Sequence, residues 1–462
     1  MATNINTLNS IELHRPTYTF ADIYVAASEG NELKVANYAK QNINKVCSRT
    51  TMSFSFNFEE GDTAVHLACK KSDAKALRLL FQYGADPTKN DPIQYAVGHG
   101  RVEILQIFHD RSCSLDYSSS DGSTLMHIAA KYGKSENLLW LMRHGLEVDP
   151  RDLNERTPLH ISILNGFSRT ARALLNCKAD VNALDKFGNT PLHLAFLHAY
   201  YGAIVPVLLE YNADMTILGK NKDSVLHKAT RKGYMKLLTV YKSLGHDLNI
   251  VNEEGITPLH VAVSCKEIQI MEFLLKNGAN PNCLDTSGRS PLYFAVHSCS
   301  LQAIKLLLHY NANPNITCCK KTNVPHTLGD TLLHLAIKNG SYECAQLLLA
   351  KGAFVNGCNE AGFTPLHIAI KKQNIKLIKL LLDRGADCNQ QDDRGNTSLH
   401  IAVRDGNVHI VEIILEVGGN IDALNKSSQT SLDCAIERND DEVIRRLVEA
   451  IESSQEKRSL QL

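Results

Sequence analysis

The sequence predicts an all-α solenoid, a pile of short helix–turn–helix units that runs through nearly the whole chain. Three observations predict it. A four-residue phrase recurs as Thr157-Pro158-Leu159-His160, Thr190-Pro191-Leu192-His193, Thr257-Pro258-Leu259-His260 and Thr364-Pro365-Leu366-His367. Weaker copies end at His66, His127, His227, His334 and His400, and three more keep the frame with Gln94, Tyr293 and Asp433 in the histidine's place. From His127 onward the frame advances by 33 residues at every step except those to His227 (34) and His334 (41). A second element keeps phase with the first: Leu174-Leu175 before Ala179-Asp180-Val181-Asn182, Leu274-Leu275 before Gly278-Ala279-Asn280, and Leu381-Leu382 before Gly385-Ala386-Asp387. A fixed period of this size marks a repeat architecture rather than a few ordinary domains.

Each part of a unit has a local reason. In the unit Glu155 to Phe187, Thr157 stands at the N-cap, where its hydroxyl accepts an N–H of the first helical turn. Pro158 follows at the first helical position, where a missing N–H costs nothing. Leu159, Ser162 and Ile163 place small or apolar groups on one helix face. Gly166 marks the turn into a second helix, whose buried pair is Leu174 and Leu175. Ala179 to Asn182 lead out to the next turn. Helices of two to three turns are unstable alone in water. Their stability comes from burying faces against neighbouring units, so the array behaves as a one-dimensional stack.

On these two elements the sequence resembles the ankyrin-repeat family from about Ala21 to Ile451. The resemblance implies an ankyrin-repeat solenoid of stacked helix–turn–helix units with β-turn fingers. Twelve frames follow Gly61, preceded by one degenerate unit, which gives twelve to thirteen repeats. The expected organisation is a disordered segment 1–20, an array 21–451 and a frayed tail 452–462. Within the array, 21–58 is a degenerate first cap, 59–427 are the repeats and 428–451 is a C-terminal cap. Ala26-Ala27 and Glu29-Gly30-Asn31 supply the first cap's small pair and inter-helix turn. The last cap carries Asp433 and a charge-rich second helix. No SOCS-box, F-box or death-domain pattern accompanies the array.

Four places break the period. The insertion 46–58 reads as a strand-like hairpin, because Phe54, Phe56 and Phe58 alternate with polar residues. The step from His66 to Gln94 is 28 residues, so the finger near Lys89 to Pro92 is clipped. The step after His193 is one residue long, placed in the turn His198 to Gly202. The insertion 316–328 surrounds Cys318-Cys319-Lys320-Lys321. Such insertions sit on one edge of a solenoid, either as binding elements or as tolerated loop drift.

Composition narrows the function. Lys plus Arg and Asp plus Glu both number 49, so no broad cationic field exists for nucleic acid or anionic lipid. No run of about 18 apolar residues exists to span a bilayer. Met1 to Arg15 lack the apolar centre of a signal peptide, and the chain reads as cytoplasmic, with the nucleus open to it. The 13 cysteines show no repeated spacing and read as free thiols, mostly small apolar fillers.

Enzyme signatures are missing: no phosphate loop, no nucleophile elbow and no kinase set. Asp392-Asp393 and Asp440-Asp441 fall in turns or caps. Nine of the 19 histidines occupy the motif's fourth position, which favours a structural role over a metal or catalytic one. There each ring can bond the threonine three residues earlier and neighbouring backbone, stitching adjacent units. Cys283, Cys299, Cys318 and Cys319, with His326, lack zinc-ligand spacing. Lys320 and Lys321 instead favour redox sensitivity of the adjacent pair. No catalytic residue, cofactor or metal is assigned.

The resemblance implies a long concave surface of finger tips and first helices as the binding face. The tip positions flanking the turn glycine are Phe187 and Asn189, Glu254 and Ile256, Ala361 and Phe363, and Arg394 and Asn396. Lys371, Lys372 and Arg404 lie on the first-helix side. Phe187, Ile256 and Phe363 read either as interface anchors or as apolar groups resting on the next finger. A dozen units give a face on the order of 100 Å long, enough for partners that each cover about 800 Å². The expected function is a non-enzymatic scaffold or adaptor for protein partners, without nucleic acid and without membrane insertion. Alternatives are a regulatory or substrate-receptor subunit of a ubiquitin ligase or phosphatase, or a microbial host-directed effector. The resemblance also implies hydroxylation of finger asparagines such as Asn182 and Asn389.

Overall fold

The computed structural model describes residues 18–47, 60–197, 200–317, 329–405 and 407–459. Among them stand 26 α-helices in thirteen consecutive pairs, with no β-strand beyond two isolated bridges. The chain divides into two compact units, Met1–Lys220 with six pairs and Asn221–Leu462 with seven.

Within each unit the helices form two layers. In the first unit Phe20–Ser28 packs on Ala64–Lys71, that helix on Ile93–His99, and so on through Leu125–Lys131 and Pro158–Leu164 to Pro191–Ala195. The second helices of the pairs stack in the same order behind them. The second unit repeats the scheme from Val225–Arg231 to Ser431–Arg438.

The local chemistry produces this layering. Thr157 is extended (φ −89°, ψ 166°) and caps Pro158–Leu164. Six of that helix's seven residues are buried, because it meets both its own partner and the flanking first helices. Ser162 hides its hydroxyl by donating to the Leu159 carbonyl at 2.8 Å. Gly166 takes φ +81°, and a Cβ there would meet the Tyr200 ring at 2.6 Å. The turn therefore needs glycine for both backbone conformation and space. Ser168–Asn176 then buries Thr170, Ala171, Leu174 and Leu175.

The ends differ from the expected bounds. The first helix begins at Phe20, capped reciprocally by Thr19 and Asp22. Its partner Glu32–Asn42 buries only Val35, the polar outer face that a terminal repeat needs. The last helix, Asp441–Ser459, continues past Ile451, where the cap was expected to end. Val443 and Leu447 are buried on it. Beyond them the helix continues through Glu452, Gln455, Glu456, Lys457 and Arg458, residue types that favour helix without packing.

At the period breaks, the clipped finger ends in a turn with Asn90 and Asp91 at positive φ, followed by the helix Ile93–His99. The turn expected at His198 to Gly202 is described only from Tyr200 onward. Residues 198 and 199 lie outside the described residues, while Tyr201 and Gly202 already belong to the helix Tyr201–Glu210. That helix buries Ile204, Val205, Val207 and Leu208, an apolar set that draws its start forward. Residues 1–17, 48–59, which hold most of the expected hairpin, and 318–328, which hold Cys318, Cys319 and His326, also lie outside the described residues.

The described cysteines are free thiols. Cys47, Cys69, Cys344 and Cys388 are buried fillers, but Cys265, Cys299 and Cys358 are exposed and the others half-buried. Most of them therefore lie at helix ends and fingers rather than in the core.

Candidate functional site

Seven motif histidines do the stitching expected of them, and the bonds fix their chemistry, while His367 Nε2 is buried without a hydrogen-bond partner. The Thr157 N–H donates to His160 Nδ1 at 3.1 Å, so that nitrogen carries a lone pair. Nε2 then holds the proton and donates to the Asn189 carbonyl at 3.3 Å, on the next pair's finger. The same reach joins His127 to the Arg156 carbonyl (2.8 Å), His227 to Ile256 (2.9 Å), His260 to Arg289 (3.2 Å), His334 to Phe363 (2.8 Å) and His400 to Gln429 (3.1 Å). Burial pushes these imidazoles below their ordinary value, His160 down to about 4. With both ring nitrogens engaged, none of these rings offers a metal a lone pair. At the frames without histidine the bonds change. Gln94 instead receives the Tyr117 hydroxyl at 2.9 Å. Asp433 keeps the local half of the bond, accepting the Thr430 N–H at 2.8 Å.

Each finger that carries the expected tip residues is closed by one Asp or Asn. Asp185 Oδ1 accepts the N–H groups of Phe187 (2.9 Å) and Asn189 (2.8 Å). Asn252 does the same for Glu254 and Ile256 (both 3.0 Å), Asn359 for Ala361 (3.1 Å) and Phe363 (3.0 Å), and Asp392 for Arg394 (2.9 Å) and Asn396 (2.7 Å). Backbone bonds tie finger to finger, as from the Lys186 N–H to the Asn154 carbonyl (2.9 Å) and from Lys426 to Arg394 (2.9 Å). At Gly395 (φ +77°) a Cβ would meet the nitrogen of Lys426 at 2.8 Å, so the crossing fingers require glycine there.

This geometry separates the expected site residues. Phe187, Glu254 and Arg394, just before the glycine, point outward, and Phe187 is 54% exposed. Asn189 and Asn396, just after it, are buried and were expected to be exposed. Their amides turn back onto Asp185 (3.3 Å) and Asp392 (3.1 Å). Burial follows because their neighbourhood carries the finger closure. Ile256 and Phe363 occupy the same inward register and are half-buried. Lys371, Lys372 and Arg404 are exposed at the ends of first helices. The structure brings two expected residues together, with Lys371 Nζ 4.5 Å from the centre of the Phe363 ring. Lys220 Nζ lies 5.1 Å from the Phe187 ring in the same way.

Sequence reasoning missed a further apolar row. The residue before the closing Asp or Asn is exposed at Leu184, Val251, Leu284 and Leu424, and Leu153 beside Asp152 is 68% exposed. Their common position in the period was the available signal. Also missed was a cavity of about 460 Å³ in the first unit, lined by Gln94, Tyr95, His99, Asp121, Lys131 and Tyr132 among others. The Ser119 hydroxyl and the Ser123 N–H hold Asp121 at about 2, so it stays ionised. A carboxylate, an amine and aromatic faces in one hollow suit polar peptide side chains.

A second line of side-chain bonds joins the fingers in the second unit. Asn389 Oδ1 accepts the Asn420 N–H (2.7 Å), while its Nδ2 donates to the Gly418 carbonyl (3.1 Å). Asn249 treats Asn280 (2.7 Å) and Gly278 (3.3 Å) alike, and Asn282, Asn315 and Asn356 follow the same rule. In the first unit Asn182 Oδ1 accepts the Asp214 N–H (2.8 Å). Among the described residues no three His, Cys, Asp or Glu side chains are placed to hold a metal, and no helix is long and apolar enough to cross a membrane.

Two family models agree with this architecture. The family described as "Ankyrin repeats (3 copies)" matches residues 126–219, 226–318, 316–392 and 385–458, and "Ankyrin repeats (many copies)" matches 65–109. The chain is 33% identical over 104 residues to the transient receptor potential cation channel subfamily A member 1 homolog of Caenorhabditis elegans, covering 21% of this chain and 8% of that protein. The human subfamily A member 1 is 26% identical over 113 residues, covering 22% of this chain and 10% of the channel subunit. The mouse ankyrin repeat domain-containing protein 63 is 33% identical over 84 residues, covering 16% of this chain and 22% of its own length. The chain thus spans a small part of each relative. A crystal structure of the ankyrin repeat domain of Bcl-3 superposes with a TM-score of 0.42 at 27% identity, over 48% of this chain and 97% of that one.

Proposed function

The chain belongs to the ankyrin-repeat family, and from that premise we propose that it is a non-enzymatic scaffold or adaptor that grips protein partners on its finger tips and first-helix ends. Ankyrin repeats imply a protein–protein interaction role. The observation that carries the finer reading is the division of labour within each finger. Closure and stitching consume the backbone and the inward side chains, leaving Phe187, Glu254, Arg394 and the row through Leu184, Val251 and Leu284 facing solvent. Exposed apolar groups rimmed by charges are what an interface uses. The cavity beside Asp121 and Lys131 would take a polar side chain of the same partner.

The test is proximity labelling in the native cell with the full chain and a variant carrying Phe187→Glu, Glu254→Lys and Arg394→Glu. These positions bear no closure bond through their side chains, so the fold should persist. A labelled set that loses specific proteins in the variant supports the reading. An unchanged set removes this face as the binding surface.

A further inference from the structure

The amide line of the second unit has a counterpart in the first that carries a carboxyl group. Asp149 stands 33 residues before Asn182, in the same register. Its Oδ2 accepts the Asp180 N–H at 2.9 Å, over the same 31-residue separation as Asn249 and Asn280. The second arm of each second-unit asparagine is an N–H that donates to a carbonyl, 29 residues ahead in the case of Asn249 and Gly278. Twenty-nine residues ahead of Asp149 is Lys178. Asp149 Oδ1 is buried and has no hydrogen-bond partner. An ionised carboxylate can only accept, and so can the carbonyl it would meet. One proton on Oδ1 restores the donor that the second-unit asparagines supply.

We propose that Asp149 is a proton-dependent rung of the finger ladder: protonated, its Oδ1–H donates to the Lys178 carbonyl and ties the two fingers together, and ionised, it releases that arm. Several surroundings act on the proton. Burial pushes the carboxyl above its ordinary value; the Asp180 N–H that it accepts pulls it down, the Asp180 carboxylate pushes it up, and Arg151 pulls it down, with burial prevailing. The side chains of Glu147 and Lys178 are exposed to solvent. The folded state therefore holds this proton more tightly than the unfolded chain. The rung's contribution is full below the unfolded carboxylate value of 3.8 and fades as pH rises through the raised folded value. At neutral pH the first unit carries one loosened joint that the second unit does not.

The experiment is hydrogen exchange of the full chain, read by mass spectrometry in peptides covering 176–183, from pH 4 to pH 7.5 with intrinsic rates divided out. Wild type is compared with Asp149→Asn, and the ratio cancels the histidine contribution common to both. The expected ratio is near one at pH 4 and grows several-fold toward neutral pH, with the variant better protected. The reciprocal change Asn389→Asp should import the same pH dependence into peptides covering 416–422. A ratio that stays constant with pH, or a variant less protected than wild type at neutral pH, overturns the proposal.

Discussion

The second unit repeats its asparagine line from Asn249 to Asn389, whereas the first carries Asp149 in that register, and the histidine frame is broken at Gln94 in the first unit and at Tyr293 and Asp433 in the second. At His260 the ring answers the Thr257 N–H on one side and the Arg289 carbonyl on the other. At Gln94 the side chain answers Tyr117 instead. The difference teaches where the framework is strict. A junction tolerates another residue when the substitute finds its own partner, and the cavity in the first unit opens beside such a junction.

The largest effect should come from emptying a regular junction. His260→Ala leaves a buried N–H and a carbonyl unpaired beside a void and should cost about 3 kcal/mol in urea unfolding. Gln94→Ala, at the irregular junction, should cost under about 1 kcal/mol. Equal losses at the two sites would erase the contrast. Next is pH. The histidine values lie below 6.5 in the folded state, so the unfolded chain binds these protons first. Stability should hold above pH 6.5, fall as pH drops through the window down to about 4, and level off below it. Denaturant midpoints across that range check it. Asn389→Ala removes both arms of one rung and should cost about 1–2 kcal/mol, read as a lower denaturant midpoint. Smallest is Phe187→Glu, which should move stability by no more than about 0.5 kcal/mol while disturbing partner capture.

The helix pairs and the structural part of the histidines were legible because Thr, Pro, Leu and His each do a local job at fixed spacing. The finger was less legible. A glycine marks the turn but does not say which flank faces inward. That is decided by Asp185 or Asp392, whose one oxygen collects N–H groups from both flanks and draws Asn189 and Asn396 inside. The Asp149 rung was hidden for a similar reason. Its oddity appears only beside Asn249 and Asn389 in place, since an aspartate in a turn is otherwise unremarkable by sequence. The long final helix escaped because its last residues leave no apolar period to read.

The Asn249, Asn282 and Asn389 ties close loops of only 29 to 31 residues. The entropy of ring closure is then small and nearly equal at each of these joints. A growing chain leaving the ribosome can therefore clip each pair to its predecessor as soon as the following finger emerges, without waiting for distant sequence.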